Sequence, residues 1–445
     1  MLRQFGYVTL ALVLSMLSTR AVARTLTLDE AIELALKQNT SIVVAKLNMQ
    51  RAESQVSEAY GSAMPSLSVN AGFNHNIQLP VFFFPNPVTG VVGPLRIGQT
   101  NTYALTAQVQ QVLFNGAVFT AIQSSKIYTD AAGAQLDAAV AEVVTETKKK
   151  YYQAVAAAAY YNVAVSALDN VKKTRETITA LFNEGLVAEF DKIRADVAVA
   201  NVEPLVLEAE SGRYASRAAL QTYLAMDLSD TIAVSADNLP DVADLPNIED
   251  AVRRAMASNY DLQALNLQIE VAKKMIDIQA SDYYPTLAAF GQWQQQGQSD
   301  TFNNWLSATS SLVGLNFSMN IFNGLRTKAK VEQSQIDVAT AEQRKAQVTD
   351  LIELQTRTII NQLGSAKARI TAQTSTVSQA QRGYDISQIR YKEGTGSLLE
   401  ISDAETALSR AQVNEISARL DYHTTKADYD RVTGQIDTRY RNMVR

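Results

Sequence analysis

Few residues in this chain are placed to make or break bonds. Its two histidines, His75 and His423, are far apart and fall in different elements, so each reads as a polar surface residue rather than a base or ligand. There is no cysteine, hence no disulfide framework, no thiolate metal site and no thiol for lipid attachment. No Walker loop, G-x-S-x-G elbow, H-E-x-x-H pair or dinucleotide fingerprint occurs. The sequence reads as a non-enzyme without cofactor or metal, whose energy must come from a partner. What remains is electrostatic. Glu400 and Asp403 stand three apart on a segment with helical spacing and so share one face. That face is either a solvated acidic surface or, repeated by symmetry around a narrow pore, a barrier that favours cations.

Those acids follow a glycine turn, Tyr391-Lys392-Glu393-Gly394-Thr395-Gly396, set between two long helical stretches. Glycine there supplies the positive φ that ends one helix and lets another begin. A second copy, Phe182-Asn183-Glu184-Gly185-Leu186-Val187-Ala188-Glu189-Phe190-Asp191, lies 209 residues earlier. The duplication extends well beyond the turns. Leu28–Asn39 matches Ile248–Asn259, and Pro65-Ser66-Leu67 matches Pro285-Thr286-Leu287, both at an offset of 220. Leu113-Phe114-Asn115-Gly116 matches Ile321-Phe322-Asn323-Gly324 at 208. The first half therefore has extra residues between Pro65 and Leu113, while its long helices keep the length of their counterparts.

Gly116 to Asn183 is free of proline and rich in Ala, Gln, Glu and Lys, which are good helix formers. At 1.5 Å per residue it would run about 100 Å, roughly three bilayer cores. Apolar residues recur at spacings of three and four, as in Leu136, Val140 and Val143, or Ile401, Ala404, Leu408 and Ala411, the spacing of a coiled-coil seam. Pro204 predicts a kink in the return helix of the first half. Upstream of each long helix the period changes to two. Tyr103, Leu105, Ala107 and Val109 alternate with polar or small residues, as do Val313, Leu315, Phe317, Met319 and Ile321. Leu67–Ala71 and Leu287–Gln296 are weaker partner strands, giving one β-hairpin per half and four strands in all. The loop of the first hairpin, Pro80 to Gln99, carries Phe82-Phe83-Phe84, which is either a loose surface loop or an aromatic run at a membrane interface.

These signals divide the chain. Arg3, an apolar run from Phe5 to Leu17 and Ala21-Val22-Ala23 predict a signal peptide over 1–23. A first repeat covers 24–232, with a hairpin near 65–114 and helices over 116–183 and 190–227. A linker at 233–247 lies within the Pro-containing block Leu228–Asn247. A second repeat covers 248–434, with a hairpin near 285–322 and helices over 324–392 and 397–433. The tail 435–445 is polar and expected to be poorly ordered. Loss of Arg3 and Arg20 makes the mature chain more acidic than the formal −5 of the whole sequence, which argues against nucleic acid as a partner. No mature segment approaches the continuous apolar length of a membrane helix.

Strands with one apolar and one polar face can span a membrane only in a closed barrel, because open edges leave backbone groups unsatisfied. Four strands cannot close, since the smallest such barrels have about eight. Several copies must contribute. In the order and paired spacing of these motifs, with Leu398-Leu399-Glu400-Ile401-Ser402-Asp403-Ala404 added, the chain resembles the outer membrane efflux protein family, the TolC-like channel-tunnels. The resemblance covers essentially the whole mature chain. It implies an α+β membrane protein that forms a homotrimer, with a shared twelve-stranded outer membrane β-barrel continuous with a long periplasmic α-helical barrel. Such a tunnel is a passive exit duct for a tripartite efflux pump or type I secretion system, embedded in outer membrane lipid. It docks a periplasmic adaptor and an inner membrane transporter. Position by position, the resemblance places gate residues at Tyr391, Glu400, Asp403 and Asp191. It places adaptor-docking tips at Gly185, Leu186, Val187, Gly394, Thr395 and Gly396. One departure stands out: where the family's best-known member has a gate-latching arginine this chain has Gly396, and the position of its threonine partner holds Phe190. The competing reading is a periplasmic coiled-coil scaffold or adaptor without a barrel.

Overall fold

The computed structural model describes residues 24–444 apart from 86, 87, 89, 231 and 236–241, so the predicted signal peptide 1–23 and part of the predicted linker lie outside the described residues. In chain order the first half runs β1 (Arg24–Thr25), α1 (Leu28–Gln38), α2 (Thr40–Gly61), β2 (Ser66–His75), β3 (Val81–Pro85), β4 (Val92–Arg96) and β5 (Asn101–Phe114). It continues with α3 (Gly116–Gln123), α4 (Ser125–Asn183), α5 (Glu189–Tyr223) and β6 (Ile232–Ala233). The second half runs α6 (Ile248–Ser258), α7 (Tyr260–Ala280), β7 (Thr286–Ser299), β8 (Leu306–Ser318), α8 (Arg326–Lys392), α9 (Leu398–Val432) and α10 (Thr438–Val444). Two units emerge. One is the chain up to Leu47, Ala134–Gln263 and the chain from Gln347 onward; the other is Asn48–Gly133 with Ala264–Ala346.

The second of these units holds an antiparallel sheet in the order β2-β5-β7-β8. Its register aligns side chains in rows across all four strands. One face carries Leu67, Val109, Gly291 and Val313 in one row, and Val69, Ala107, Trp293 and Ser311 in the next. The opposite face carries Asn70, Thr106, Gln294 and Ser310, then Ser68, Gln108, Gln292 and Leu312. No row of that second face contains a charged side chain. On the apolar face Val313, Leu315 and Phe317 are 89%, 68% and 65% exposed, which is a large apolar area to leave in water. At one end of the sheet Phe73 stacks on Phe302, and Tyr103 meets Trp305 edge-on with ring centroids 5.1 Å apart. Gly297 makes room for the Tyr103 ring, which a Cβ at that position would meet at 2.3 Å.

The loop expected between Pro80 and Gln99 is partly a second sheet, in which β3 and β4 pair from Val81 with Arg96 to Pro85 with Val92. Phe82, Phe83 and Phe84 are all exposed on it. The loop's prolines hide this ribbon from a reading of the sequence, because strands tolerate proline only at such edges.

The other unit is helical, and here the internal repeat has a visible physical basis. Thr27 caps α1 in a reciprocal capping box with Glu30, and Asn247 caps α6 through the Glu249 amide. Asn39 donates its side-chain amide to the Tyr223 carbonyl at 2.9 Å, and its counterpart Asn259 donates to the Val432 carbonyl at 3.0 Å. Each of these asparagines thus ties a short helix to the end of a long return helix, satisfying a carbonyl that the helix leaves orphaned. The return helices close with the same turn, at Ala225 (φ +54°) in the first half and Gly434 (φ +67°) in the second. On α8 and α9, Ile360, Leu363, Ala366, Ile370, Ala418 and Tyr422 form one buried cluster with Ala251 of α6.

Several expectations change. The helix predicted over 116–183 is two helices, broken at Ser124, and the one predicted over 190–227 ends at Tyr223. Pro204, where a kink is expected, lies inside α5, and the helix continues on both sides of it. The tail is ordered: Ile436 just before α10 and Tyr440 and Val444 within it are buried, and the Tyr440 hydroxyl donates to Asp29 at 2.7 Å. Its polar composition concealed apolar residues spaced four apart. Met319 and Ile321 lie past the end of β8.

Candidate functional site

The two glycine turns join α4 to α5 and α8 to α9, and both are Schellman motifs. In the first, the Leu186 amide donates to the Leu181 carbonyl at 2.9 Å and that of Gly185 donates to Phe182 at 2.9 Å. In the second, the Thr395 amide donates to the Arg390 carbonyl at 2.9 Å and that of Gly394 donates to Tyr391 at 3.0 Å. Gly185 and Gly394 share a φ of +73°, and a Cβ on either would meet nothing within 4 Å. Backbone conformation, not crowding, selects glycine at these two positions. Gly396 differs. Its φ is not positive, but a Cβ there would stand 3.0 Å from the Tyr391 amide nitrogen and 3.1 Å from the Arg390 carbonyl carbon. Leu186 is exposed and Val187 half-buried.

The tips are not equally tied down. Ser397 caps α9 by accepting from the Glu400 amide, whereas Ala188 offers α5 no side-chain cap. Arg390 spans the second turn, donating to the Thr395 carbonyl at 3.1 Å and pairing with Glu400 at 3.2 Å, while the Thr395 hydroxyl donates back to the Arg390 carbonyl. In the first hairpin the corresponding contacts are cation–π. Lys192 lies over Phe182, and the Arg194 guanidinium lies 5.6 Å from the Phe190 ring.

Of the four predicted gate residues, the structure brings two together. Tyr391 packs against Ile178 of α4, Ala195 of α5 and Leu398 of α9. Burial raises its phenol above the ordinary tyrosine value, with the Asp191 charge pushing the same way. Its hydroxyl is buried without a hydrogen-bond partner among the described residues. Glu400 is half-buried and engaged by Arg390. Asp403 is exposed and makes no hydrogen bond or ion pair among the described residues. The two acids share a helix, yet only Asp403 presents an uncompensated charge.

Two further residues shape this region. Arg390 sits six positions before Gly396 and reads as an ordinary end-of-helix cation. Glu405 is 6% exposed on α9, between the seam residues Ile401 and Leu408; a charge at a seam position was the available signal. His75 is exposed at the end of β2, with Nδ1 2.7 Å from Asn101 Oδ1. The expectation of a surface residue fails for His423, which is buried, stacks on Tyr152 at 4.8 Å and meets Tyr422 edge-on. Two tyrosine rings at its site outweigh the polarity of the imidazole.

Comparison with known proteins agrees with this architecture. The chain is 23% identical over 343 residues to the outer membrane protein TolC of Escherichia coli K12, covering 73% of this chain and 67% of that protein. It is 28% identical over 192 residues to the alkaline protease secretion protein AprF of Pseudomonas aeruginosa, covering 41% and 38% respectively. The fold matches the Campylobacter jejuni CmeC outer membrane channel with a TM-score of 0.73 at 18% identity, covering 92% of this chain and 85% of that one. Outer membrane efflux protein is the family matched, over residues 31–226 and again over 251–435, one match per repeat. With both halves matched, the chain belongs to the outer membrane efflux protein family, whose members are outer membrane channels extending into the periplasm.

Proposed function

We propose that three copies of this chain close one twelve-stranded barrel and act as a passive exit duct, gated where the α4–α5 and α8–α9 turns lie. The duct serves a tripartite efflux pump or type I secretion system. The observation that carries this reading is the four-stranded sheet. It is open at β2 and β8, its strands run to 14 residues, and one face is apolar and exposed. In hydrocarbon those two edges leave unpaired backbone groups at several kcal/mol each. β2 and β8 run antiparallel within the sheet, so β8 of one copy can continue onto β2 of the next with antiparallel pairing. The charge-free row face then lines the bore, and the Phe73–Phe302–Tyr103–Trp305 group takes the aromatic position at the membrane interface.

The turns Gly185-Leu186-Val187 and Gly394-Thr395-Gly396, with Gly185, Leu186, Gly394 and Thr395 exposed, supply the surface for a periplasmic adaptor, and Tyr391, Asp191, Glu400 and Asp403 form the constriction. In this reading an inner membrane transporter supplies the energy for export. A periplasmic scaffold without a barrel gives the apolar sheet face no role. Outer membrane fractions should contain a heat-modifiable trimer; recovery of the whole chain as soluble periplasmic protein would end this reading.

A further inference from the structure

One carboxyl lies in the apolar seam of the second hairpin. Glu405 falls four residues after Ile401 and three before Leu408, and these two form a buried cluster with Tyr384 of α8. Asn170 of α4 hydrogen-bonds its carboxyl group, but Oε1 is buried and has no partner among the described residues. Two cavities meet at this side chain. The larger, about 700 Å³, is a cleft between α4, α5 and α9 walled by Tyr160, Val171, Ala198, Leu205 and Arg410. The smaller, about 40 Å³, has Arg194 and Leu398 in its wall and is roomy enough for a water.

The surrounding charges come from every packed element. α4 supplies Asp169, which is itself held by Lys173 at 2.6 Å; α5 supplies Arg194 and Glu208; α8 supplies Tyr384 and Asp385; α9 supplies Arg410. Neither arginine forms an ion pair with Glu405, and Arg194 is turned onto Phe190.

We propose that Glu405 is a proton-binding site that controls this seam: protonated, its neutral carboxyl stays between α4, α8 and α9, and deprotonated, it withdraws into the cleft and loosens α9. An ionised carboxylate with no facing cation has no stable place among Ile401, Leu408 and Tyr384. The cleft gives it somewhere to go, with Arg194 and Arg410 along the walls. Burial raises the Glu405 carboxyl to about 7, with the Asn170 bond pulling the other way. Because the packed state raises this group, its contribution to the closed seam is fully present below the ordinary glutamate range and is lost as pH rises through about 7. The tip is therefore tightest in mild acid and loosest in mild alkali.

The test is amide hydrogen exchange of the full-length trimer in lipid nanodiscs at about pH 6 and pH 8.5, corrected for intrinsic exchange rates. The expected result is that amides of 398–411 and 384–392 lose at least tenfold protection at the higher pH, while the α6 and α10 amides do not. Glu405→Gln, which keeps the shape and cannot ionise, should be protected at both pH values. A variant that retains the wild-type pH step, or a wild type without one, overturns the proposal. Infrared difference spectra between the wild type and Glu405→Gln give a second readout, a protonated carboxyl band that disappears near neutral pH; its absence at pH 6 overturns the proposal as well. Conductance in the same buffers separates this site from the gating reading on which it builds. An opening step absent from Glu405→Gln supports both, whereas a protection step without any conductance step leaves the proton site standing and removes the gate from this seam.

Discussion

Replacing Gly185 or Gly394 by alanine separates docking from folding, and the structure supplies the magnitude. Both glycines sit at φ +73°, where an L residue costs about 1–2 kcal/mol. The loss is partly offset because alanine restricts the unfolded chain, by roughly 0.4–1 kcal/mol. No atom lies within 4 Å of the new Cβ at either site, so no clash adds to the cost. The net penalty is about 1 kcal/mol, confined to a helix end. Gly434 supplies the contrast. It has a similar φ of +67°, but its Cβ would stand 2.2 Å from the Ser258 carbonyl oxygen, so α6 would have to move. On unheated gels of outer membranes, Gly185→Ala and Gly394→Ala should form wild-type amounts of trimer, and Gly434→Ala should not. Gly394→Leu should assemble as well as Gly394→Ala and yet fail to restore drug resistance or secretion in a deletion strain. If Gly394→Ala already abolishes the trimer, the turn is a structural cap and the reasoning fails. If Gly394→Leu exports normally, the tip does not meet the adaptor.

Selectivity should follow the uncompensated acid. In planar bilayers Asp403→Asn should weaken cation preference and divalent-cation block more than Glu400→Gln does, and Arg390→Met should strengthen them by unmasking Glu400; equal effects of the two acids would contradict the pairing. Ala225→Gly should stabilise the fold by about 1 kcal/mol, because Ala225 holds φ +54° at the position where the second repeat has Gly434; thermal melting of the trimer checks the sign. Tyr440→Phe removes the bond to Asp29 and should cost about 1.5–3 kcal/mol in the same assay, since the partner is a charged acceptor in a half-buried site.

How much of this was legible depended on whether an interaction was local or long-range. The two turns were readable because a Schellman cap needs glycine at C′, and two glycines 209 residues apart stood between helix-forming runs. The strands were readable from alternation, since Val313, Leu315 and Phe317 share a face in any register. The pairing of β5 with β7 was not, because a register between distant segments leaves no mark in either one. Repeated Asn39 and Asn259 signalled duplication, but their role as ties to the Tyr223 and Val432 carbonyls appears only once the return helices are placed. At the candidate gate, the shared face of Glu400 and Asp403 followed from spacing alone. That Arg390 neutralises one of them depends on a side chain reaching across the turn. Glu405 looked like one more acid on a polar helix until Tyr384 and Asn170 arrived from other helices to bury it.

The central claim is that the open edges β2 and β8 meet between copies. The chain has no cysteine, so single cysteines placed along β2 (66–75) and along β8 (306–318) in one polypeptide can be scanned pairwise for disulfides in native outer membranes. Interchain links should form whose strongest pairs step along the two strands in opposite directions, with a ladder on denaturing gels that ends at three chains. Absence of any interchain β2–β8 link, or a ladder that continues beyond three, would contradict it.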